Sequence, residues 1–284
     1  MMIKKGDIVA RLSYNCDILF RVIEVRTNDV LLAGEDYRLL ADAPFEDIVL
    51  IPEKEQSTYR QKIAKREEDS YKLFRQDAKL MKHRNEYEIS SGYASDWNYF
   101  ELRGRVLHID GDSLYLKKCM AMYEKLGVPV YGVHIQEKAM PEQISSLLEM
   151  VQPDILVITG HDAYIKSKGT EKDLRAYRHT KFFAECVRIA RKHVWSRDEL
   201  VIFAGACQSH FETLIKAGAN FASSPERVNI HALDPVYIVS RISLSSFMDR
   251  VSLYDLLRNT ITGEKGIGGI ETRGMMRRGV PLME

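Results

Sequence analysis

The 284-residue chain has no closely spaced cysteines, no excess of either charge and no long apolar run. Its four cysteines, Cys16, Cys119, Cys186 and Cys207, are scattered, and CxxC spacing is absent. Neither a disulfide framework nor a zinc ribbon is therefore expected, and a buried inert thiol is the default reading of each cysteine. With 41 Lys and Arg against 40 Asp and Glu, the chain lacks the basic excess that would point to nucleic acid. No apolar run approaches the roughly 20 residues that span a bilayer. The opening MMIKKGDIVARLSYN is broken by charges, unlike the apolar heart of a signal peptide. A soluble, cytoplasmic protein is expected, with no metal, no cofactor, and neither nucleic acid nor membrane as partner.

What is present divides into three parts. At 45% hydrophobic residues the chain can build one large core and a small module besides. Residues 1–52 read as short strands: GDIVARLSY, ILFRVIEV, VLLAGEDYRLLA and DIVLIP are rich in Val, Ile and Leu and punctuated by Gly, Asn and Asp. They suggest an SH3-like β module of docking or accessory type. Residues 53–100 form a linker whose first part, EKEQSTYRQKIAKREEDSYKLFRQDAKLMKHRNEYE, has no Gly or Pro and is charged throughout. It predicts a long, largely solvated helix, followed by the softer stretch SSGYASDWNYF.

In residues 101–284 a strand and helix alternation sets in. RVLHID, VPVYGVHI, DILVIT and ELVIFAG are strands, each followed by an amphipathic segment such as SLYLKKCMAMYEKLG, PEQISSLLEMV, TKFFAECVRIARKHV or SHFETLIKAGA. Strands apolar along their whole length are buried on both faces. The expected class is α/β, a parallel sheet with helices on both faces. The tail adds at least one more strand and helix. Its GIGG with Arg273, Arg277 and Arg278 follows no strand and opens no helix, so it predicts a flexible end rather than a phosphate loop.

Open parallel sheets gather functional groups past the carboxyl ends of their strands. DILVITGHD puts His161 just past the third strand, and LVIFAGACQSH puts Cys207 just past the fourth, 46 residues later. One right-handed crossover joins such strands, so both side chains face one sheet edge. A histidine beside a thiol, with a helix start behind it, makes a thiolate available. A cysteine after an apolar strand is ordinarily core, and a histidine at a strand end ordinarily structural. Occurring together at equivalent positions, they point to a nucleophile and its general base.

The pattern resembles the caspase, legumain and gingipain group of cysteine peptidases, in which one strand ends in His and a second in Ala-Cys. GACQS and the 46-residue gap follow that order. That group usually has Gly after the His, where this chain has Asp162. The backbone N–H groups of Cys207 and Asp162 are the candidate oxyanion donors. Almost the whole chain, through GDIVARLSY, RVLHIDGD, VPVYGVH, PDILVITGHDAY, LVIFAGACQSHFE, AGANFASSP and VNIHALDPVYIV, is similar to the YabG family of sporulation-specific proteases. The resemblance implies a caspase-like endopeptidase made in the sporulating mother cell. It would process spore coat and morphogenetic proteins beside arginine, with His161 and Cys207 as the catalytic pair.

An arginine-selective pocket needs a carboxylate. Asp110 and Asp112, at the end of the first strand, and Asp162 are the candidates, with Asp234 behind them; turn roles compete for each. Asp162 can alternatively orient the imidazole. His210, His231 and the 223–225 segment SSP have packing or loop readings at least as good as functional ones. Two rivals stand beside the peptidase. One is a glutamine amidotransferase, whose G-x-C-x-G is not matched by Cys207-Gln208-Ser209. The other is a non-catalytic scaffold carrying an SH3-like docking module.

Overall fold

Gly6 and Asp7 precede a short apolar run that opens a five-stranded antiparallel sheet: β1 (Ile8–Arg11), β2 (Leu19–Val25), β3 (Asp29–Gly34), β4 (Leu40–Pro44) and β5 (Ile48–Leu50). Residues 3–90 and 100–279 are described by this computed structural model. The strand order is β4-β3-β2-β1-β5. Val9, Phe20, Val22, Val30, Leu32 and Leu39 turn inward. Their cluster does not end with the sheet: it continues into Ala163, Cys207 and Ile230, far along the chain.

Helix α1 (Glu53–Ser90) bears out the charged segment and runs 38 residues. Ile63 and Phe74 are the apolar side chains it buries among the described residues, and the Phe74 ring lies 5.9 Å from that of Tyr237. The softer stretch at 91–99 and the final residues 280–284 lie outside the described residues.

β6 (Phe100–Leu102) pairs with β15 (Arg277–Gly279). Between them β7 (Val106–Asp110), α2 (Ser113–Leu126), β8 (Val130–His134), α3 (Met140–Val151), β9 (Ile155–Thr159), α4 (Thr180–His193), β10 (Val201–Ala204), α5 (Phe211–Ala217) and β11 (Phe221–Ser223) alternate as the sequence implies. Then follow α6 (Asp234–Leu244), β12 (Arg250–Val251), α7 (Leu253–Leu257), β13 (Ile267–Gly269) and β14 (Thr272–Arg273). The main sheet is ordered β13-β11-β10-β9-β7-β8. Strands β7 to β11 are parallel and β13 antiparallel.

Every residue of β7, β9 and β10 is buried, as strands covered on both faces must be. α2 and α6 cover one face, with Cys119, Tyr123, Val236 and Ile242 in its core. α3, α4 and α5 cover the other through Ile144, Phe183, Val187 and Leu214. Asp112 caps α2, accepting from the N–H groups of Leu114 and Tyr115, and left-handed Gly127 closes it. No helix among the described residues is long and apolar enough to cross a membrane.

Two expectations are corrected. GIGG is no loose end: it forms β13, and Ser224 N–H donates to Gly266 O at 2.6 Å beside it. The glycines let that edge strand close on its neighbours, since a Cβ on Gly268 would meet the Phe211 ring at 2.9 Å. The helix after Cys207 also starts late. The Ser209 hydroxyl accepts from Ala206 N–H at 2.9 Å and donates to Asp162, closing a turn, so His210 becomes the N-cap and α5 begins at Phe211. Cys207 therefore does not sit on a helix N-terminus.

Candidate active site

β9 and β10 run side by side in register, Ile155–Ile158 against Val201–Ala204, so the chain leaves both at one level of the sheet edge. Gly205 turns the exit of β10 with φ of +112°, a conformation that favours glycine, and a Cβ there would meet Leu214 at 2.8 Å. The loops so formed aim two peptide N–H groups at one acceptor. Asp162 N–H and Cys207 N–H donate to the main-chain oxygen of Arg38 at 3.4 and 3.2 Å. Such a pair of fixed donors can stabilise negative charge developing on a carbonyl oxygen.

The Cys207 side chain is fully buried. Its sulfur accepts from Ile230 N–H at 3.2 Å and faces Ile230 O at 3.6 Å, so its hydrogen bonds go to Ile230 and not to the His161 ring. Burial raises the thiol far above its ordinary pKa, outweighing the opposing pull of the Ile230 N–H and the Arg38 charge. In this arrangement the cysteine is a thiol, shielded from water.

His161 is held between carboxylates. Its Nε2 lies 3.4 Å from Asp112 and its Nδ1 3.6 Å from Glu137, and the Tyr115 ring packs alongside at 5.3 Å. Glu137 also accepts from His161 N–H at 2.8 Å. Burial works to raise the Glu137 carboxyl, but the His161 bond and charge prevail and hold it below the usual range. Two glycines make room for it: a Cβ on Gly160 would come 2.6 Å from its Oε1, and one on Gly111 would collide with it outright. His179 Nδ1 donates to His161 O at 2.7 Å, fixing the loop from behind.

The three candidate carboxylates part company. The Asp162 side chain accepts from the hydroxyls of Thr180 and Ser209 and from the N–H groups of His179 and Ala163. Burial keeps it above the ordinary carboxylate value in spite of these bonds. It ties the loop after β9 to that after β10 and to the start of α4, while its own N–H stays free to point at the Arg38 oxygen. Asp112 is occupied with capping α2 and flanking His161.

Asp110 meets an arginine. Arg38 Nη1 lies 2.6 Å from its Oδ2, with both side chains at 0% exposure. Thr159 donates to the same oxygen at 3.0 Å, and Asp112 N–H to the other at 2.9 Å. Burial alone would raise Asp110, yet the Arg38 charge holds it well below the usual range. Arg38 Nη2 also donates to Ala232 O at 3.0 Å and Cys119 Sγ at 3.4 Å, and the guanidinium lies 5.2 Å from the Tyr115 ring, while its buried Nε has no hydrogen-bond partner.

The remaining candidates have structural partners. His210 caps α5, and its Nε2 faces Lys172 O at 3.3 Å; Glu212, two residues on, lies 3.1 Å from Nδ1. Asp234 accepts from the N–H groups of His231, Ile261 and Thr262. Among the described residues two sets of side chains have metal-ligand spacing, His108/Asp110/Cys119 and Asp36/Glu67/His231. A cation of the chain already sits on each: Arg38 on the first, and Lys118 on Asp36 and Glu67 of the second. Sequence reasoning missed Arg38, Glu137, His179 and Tyr115. Glu137 alone carried a signal, as an acid just past β8 on the sheet edge that carries His161 and Cys207.

The family model described as YabG peptidase U57 matches residues 4–281. The sporulation-specific protease YabG of Bacillus subtilis (strain 168) is 54% identical over 286 residues, covering 99% of each chain. No solved structure gives a significant match. With a family match running through both β sheets, both loops and the glycines beside them, the chain belongs to the YabG peptidase U57 family of proteases.

Proposed function

We propose that this protease is a cysteine endopeptidase that cleaves after arginine. Cys207 is its nucleophile, His161 its general base, Asp110 the floor of its first specificity pocket, and the N–H groups of Asp162 and Cys207 its oxyanion hole. One observation carries the reading. An arginine lies in the cleft with its carbonyl oxygen on two converging N–H groups and its guanidinium on a buried carboxylate. A substrate arginine bound the same way would present its carbonyl carbon to the Cys207 sulfur.

The chemistry then follows. His161 takes the thiol proton, and the sulfur attacks the carbonyl carbon. The carbonyl oxygen gains charge against the two N–H groups. His161 returns the proton to the departing amine, leaving a thioester on Cys207. Water, deprotonated by His161, releases the acid and restores the thiol. Glu137 and Asp112 flank the imidazole and hold it in place. The carboxylate of Asp110 pairs with guanidinium in preference to shorter cations.

Under this reading residues 101–284 are a caspase-like peptidase domain, residues 1–52 an SH3-like module, and residues 53–100 a helical linker. The similarity to a sporulation-specific protease supports a sporulation role. Spore coat and morphogenetic proteins, met in the mother cell, are the proposed substrates. The amidotransferase alternative has one feature in its favour, the His210 and Glu212 pair. That imidazole caps α5 and lies off the Arg38 oxygen site.

The test uses purified wild type, Cys207→Ala and His161→Ala on peptides differing only in Arg, Lys or Gln at one position. Cleavage after Arg by wild type and its loss in both folded variants is the expected result. Undiminished cleavage by Cys207→Ala would sink the assignment.

A further inference from the structure

The arginine in the cleft belongs to the chain itself. Arg38 lies in the turn between β3 and β4, and the residues on either side of it make single β-bridges to the walls of the cleft. Tyr37 bridges His231 in antiparallel fashion and Leu39 bridges Asp162 in parallel fashion. Ala232 N–H donates to Asp36 O at 2.8 Å, Arg38 N–H to Ile230 O at 3.2 Å, and Leu40 N–H to Asp162 O at 3.4 Å. Side chains add to the backbone ladder. Lys118 holds Asp36 at 2.8 Å, the Tyr115 hydroxyl donates to Tyr37 O at 2.7 Å, and the Tyr37 ring stands edge-on to His231 at 6.0 Å.

A buried Arg–Asp pair is by itself an ordinary structural device. Here the backbone oxygen of the same residue fills the two-donor site, and strand pairing continues on both sides of it. Cys207 is fully buried beneath. We propose that residues 36–40 are a tethered occupant of the arginine site, competing with protein substrates and holding the enzyme closed until the turn withdraws. The inference rests on the peptidase reading above.

The segment is built to stay rather than to be cut and released. The Cys207 sulfur is engaged by Ile230, turned to the strand beside Arg38. Leu39 N–H donates to Tyr37 O at 2.7 Å, drawing the two sides of the Arg38–Leu39 bond into a tight turn. Leu39 is buried, and Leu40 pairs with Ala33 in the neighbouring strand. An amine freed from that bond would remain in place to reattack the thioester. Beyond Leu40 a cleft of about 380 Å³, bounded by Leu31, Leu40, Asp112, Glu137 and His161, leads to the imidazole. The general base is thus approachable while the nucleophile is covered.

A tethered ligand acts at an effective concentration of about a millimolar. Against a site with a KM of about 0.1 mM, mid-range for enzymes, that leaves roughly one molecule in ten open. Removing the arginine should therefore raise reactivity about tenfold.

The full chain is compared with Arg38→Ala, and with Arg38→Gln, which keeps a donor for Asp110 should the alanine variant not fold; circular dichroism checks folding. Two rates are read: iodoacetamide labelling of Cys207, located by peptide mass analysis, and hydrolysis of a fluorogenic arginyl peptide. Both rates rising about tenfold in a folded variant is the expected result. Equal rates in wild type and variant, with cleavage still dependent on Cys207, overturn the tethered occupant and leave the peptidase reading standing. Absence of cleavage by every folded form overturns the peptidase reading and the occupant with it.

Discussion

Asp110→Asn removes one charge of an ion pair that water does not reach. Both side chains are at 0% exposure with 2.6 Å between Nη1 and Oδ2, so the Arg38 guanidinium would be left buried beside a neutral amide. Breaking such a pair from one side costs about 3–5 kcal/mol. Ala232 O still accepts from Nη2 at 3.0 Å, which places the expected loss toward the lower end of that range. At roughly 2–4 °C per kcal/mol for a chain of this size class, Tm should fall by about 6–20 °C. Adding Arg38→Met removes the stranded charge and should recover most of the loss, giving a coupling energy of about 2 kcal/mol or more in the double-mutant cycle. The pH dependence has a definite sign. A carboxyl held below its unfolded value leaves the unfolded chain binding more protons, so its contribution is present above about pH 4 and fades on acidification. The Asp110→Asn variant should lose less stability below about pH 4 than wild type does. Thermal unfolding measures the Tm shift, and urea unfolding followed by circular dichroism across pH measures the coupling energy and the pH dependence. An Asp110→Asn cost under about 1 kcal/mol would refute the buried-pair argument.

Three further outcomes are expected. Glu137→Gln keeps an acceptor for His161 N–H but removes the charge beside the imidazole, so kcat on an arginyl peptide should fall about 10- to 100-fold with KM within about twofold. A rise in KM at unchanged kcat would show that Glu137 contacts substrate instead. Asp162→Ala strands the Thr180 and Ser209 hydroxyls and the His179 N–H, and should cost about 2–4 kcal/mol in urea unfolding; a variant as stable as wild type refutes the tie between the loops. Gly160→Ala sets a methyl 2.6 Å from the Glu137 carboxylate and should cost about 1–3 kcal/mol together with most of the activity. Full activity in that variant would mean the carboxylate has room to move.

The parallel sheet was legible because β9 and β10 are nearly uninterrupted apolar runs and β7 is apolar but for His108 and Asp110, a pattern that burial on both faces explains. The two loops were legible because adjacent parallel strands must deliver their ends to one edge, and His161 and Cys207 stand two and three residues past them. The late start of α5 was not, because Ser209 reads equally well as a helix cap and as the turn hydroxyl it becomes when Asp162 is in reach. GIGG looked like a loose end because strand propensity is judged on side chains, and a glycine strand is chosen by the backbone of its neighbour. Arg38 was invisible for a different reason. YRLL has the composition of any edge strand, and its partner Asp110 lies 72 residues away, with no local pattern linking them. Glu137 sits past the edge strand β8, whose burial pattern is mixed, so its place on the catalytic edge was easily passed over.

The occupied cleft also has an order in time. Arg38 precedes Asp110, His161 and Cys207 along the chain, and the ribosome makes it first. At about 5–20 residues per second, the antiparallel sheet and the following helix emerge several seconds or more before the loop after β10. If residues 36–40 occupy the site as proposed, Cys207 folds into place against an arginine that the ribosome has already made.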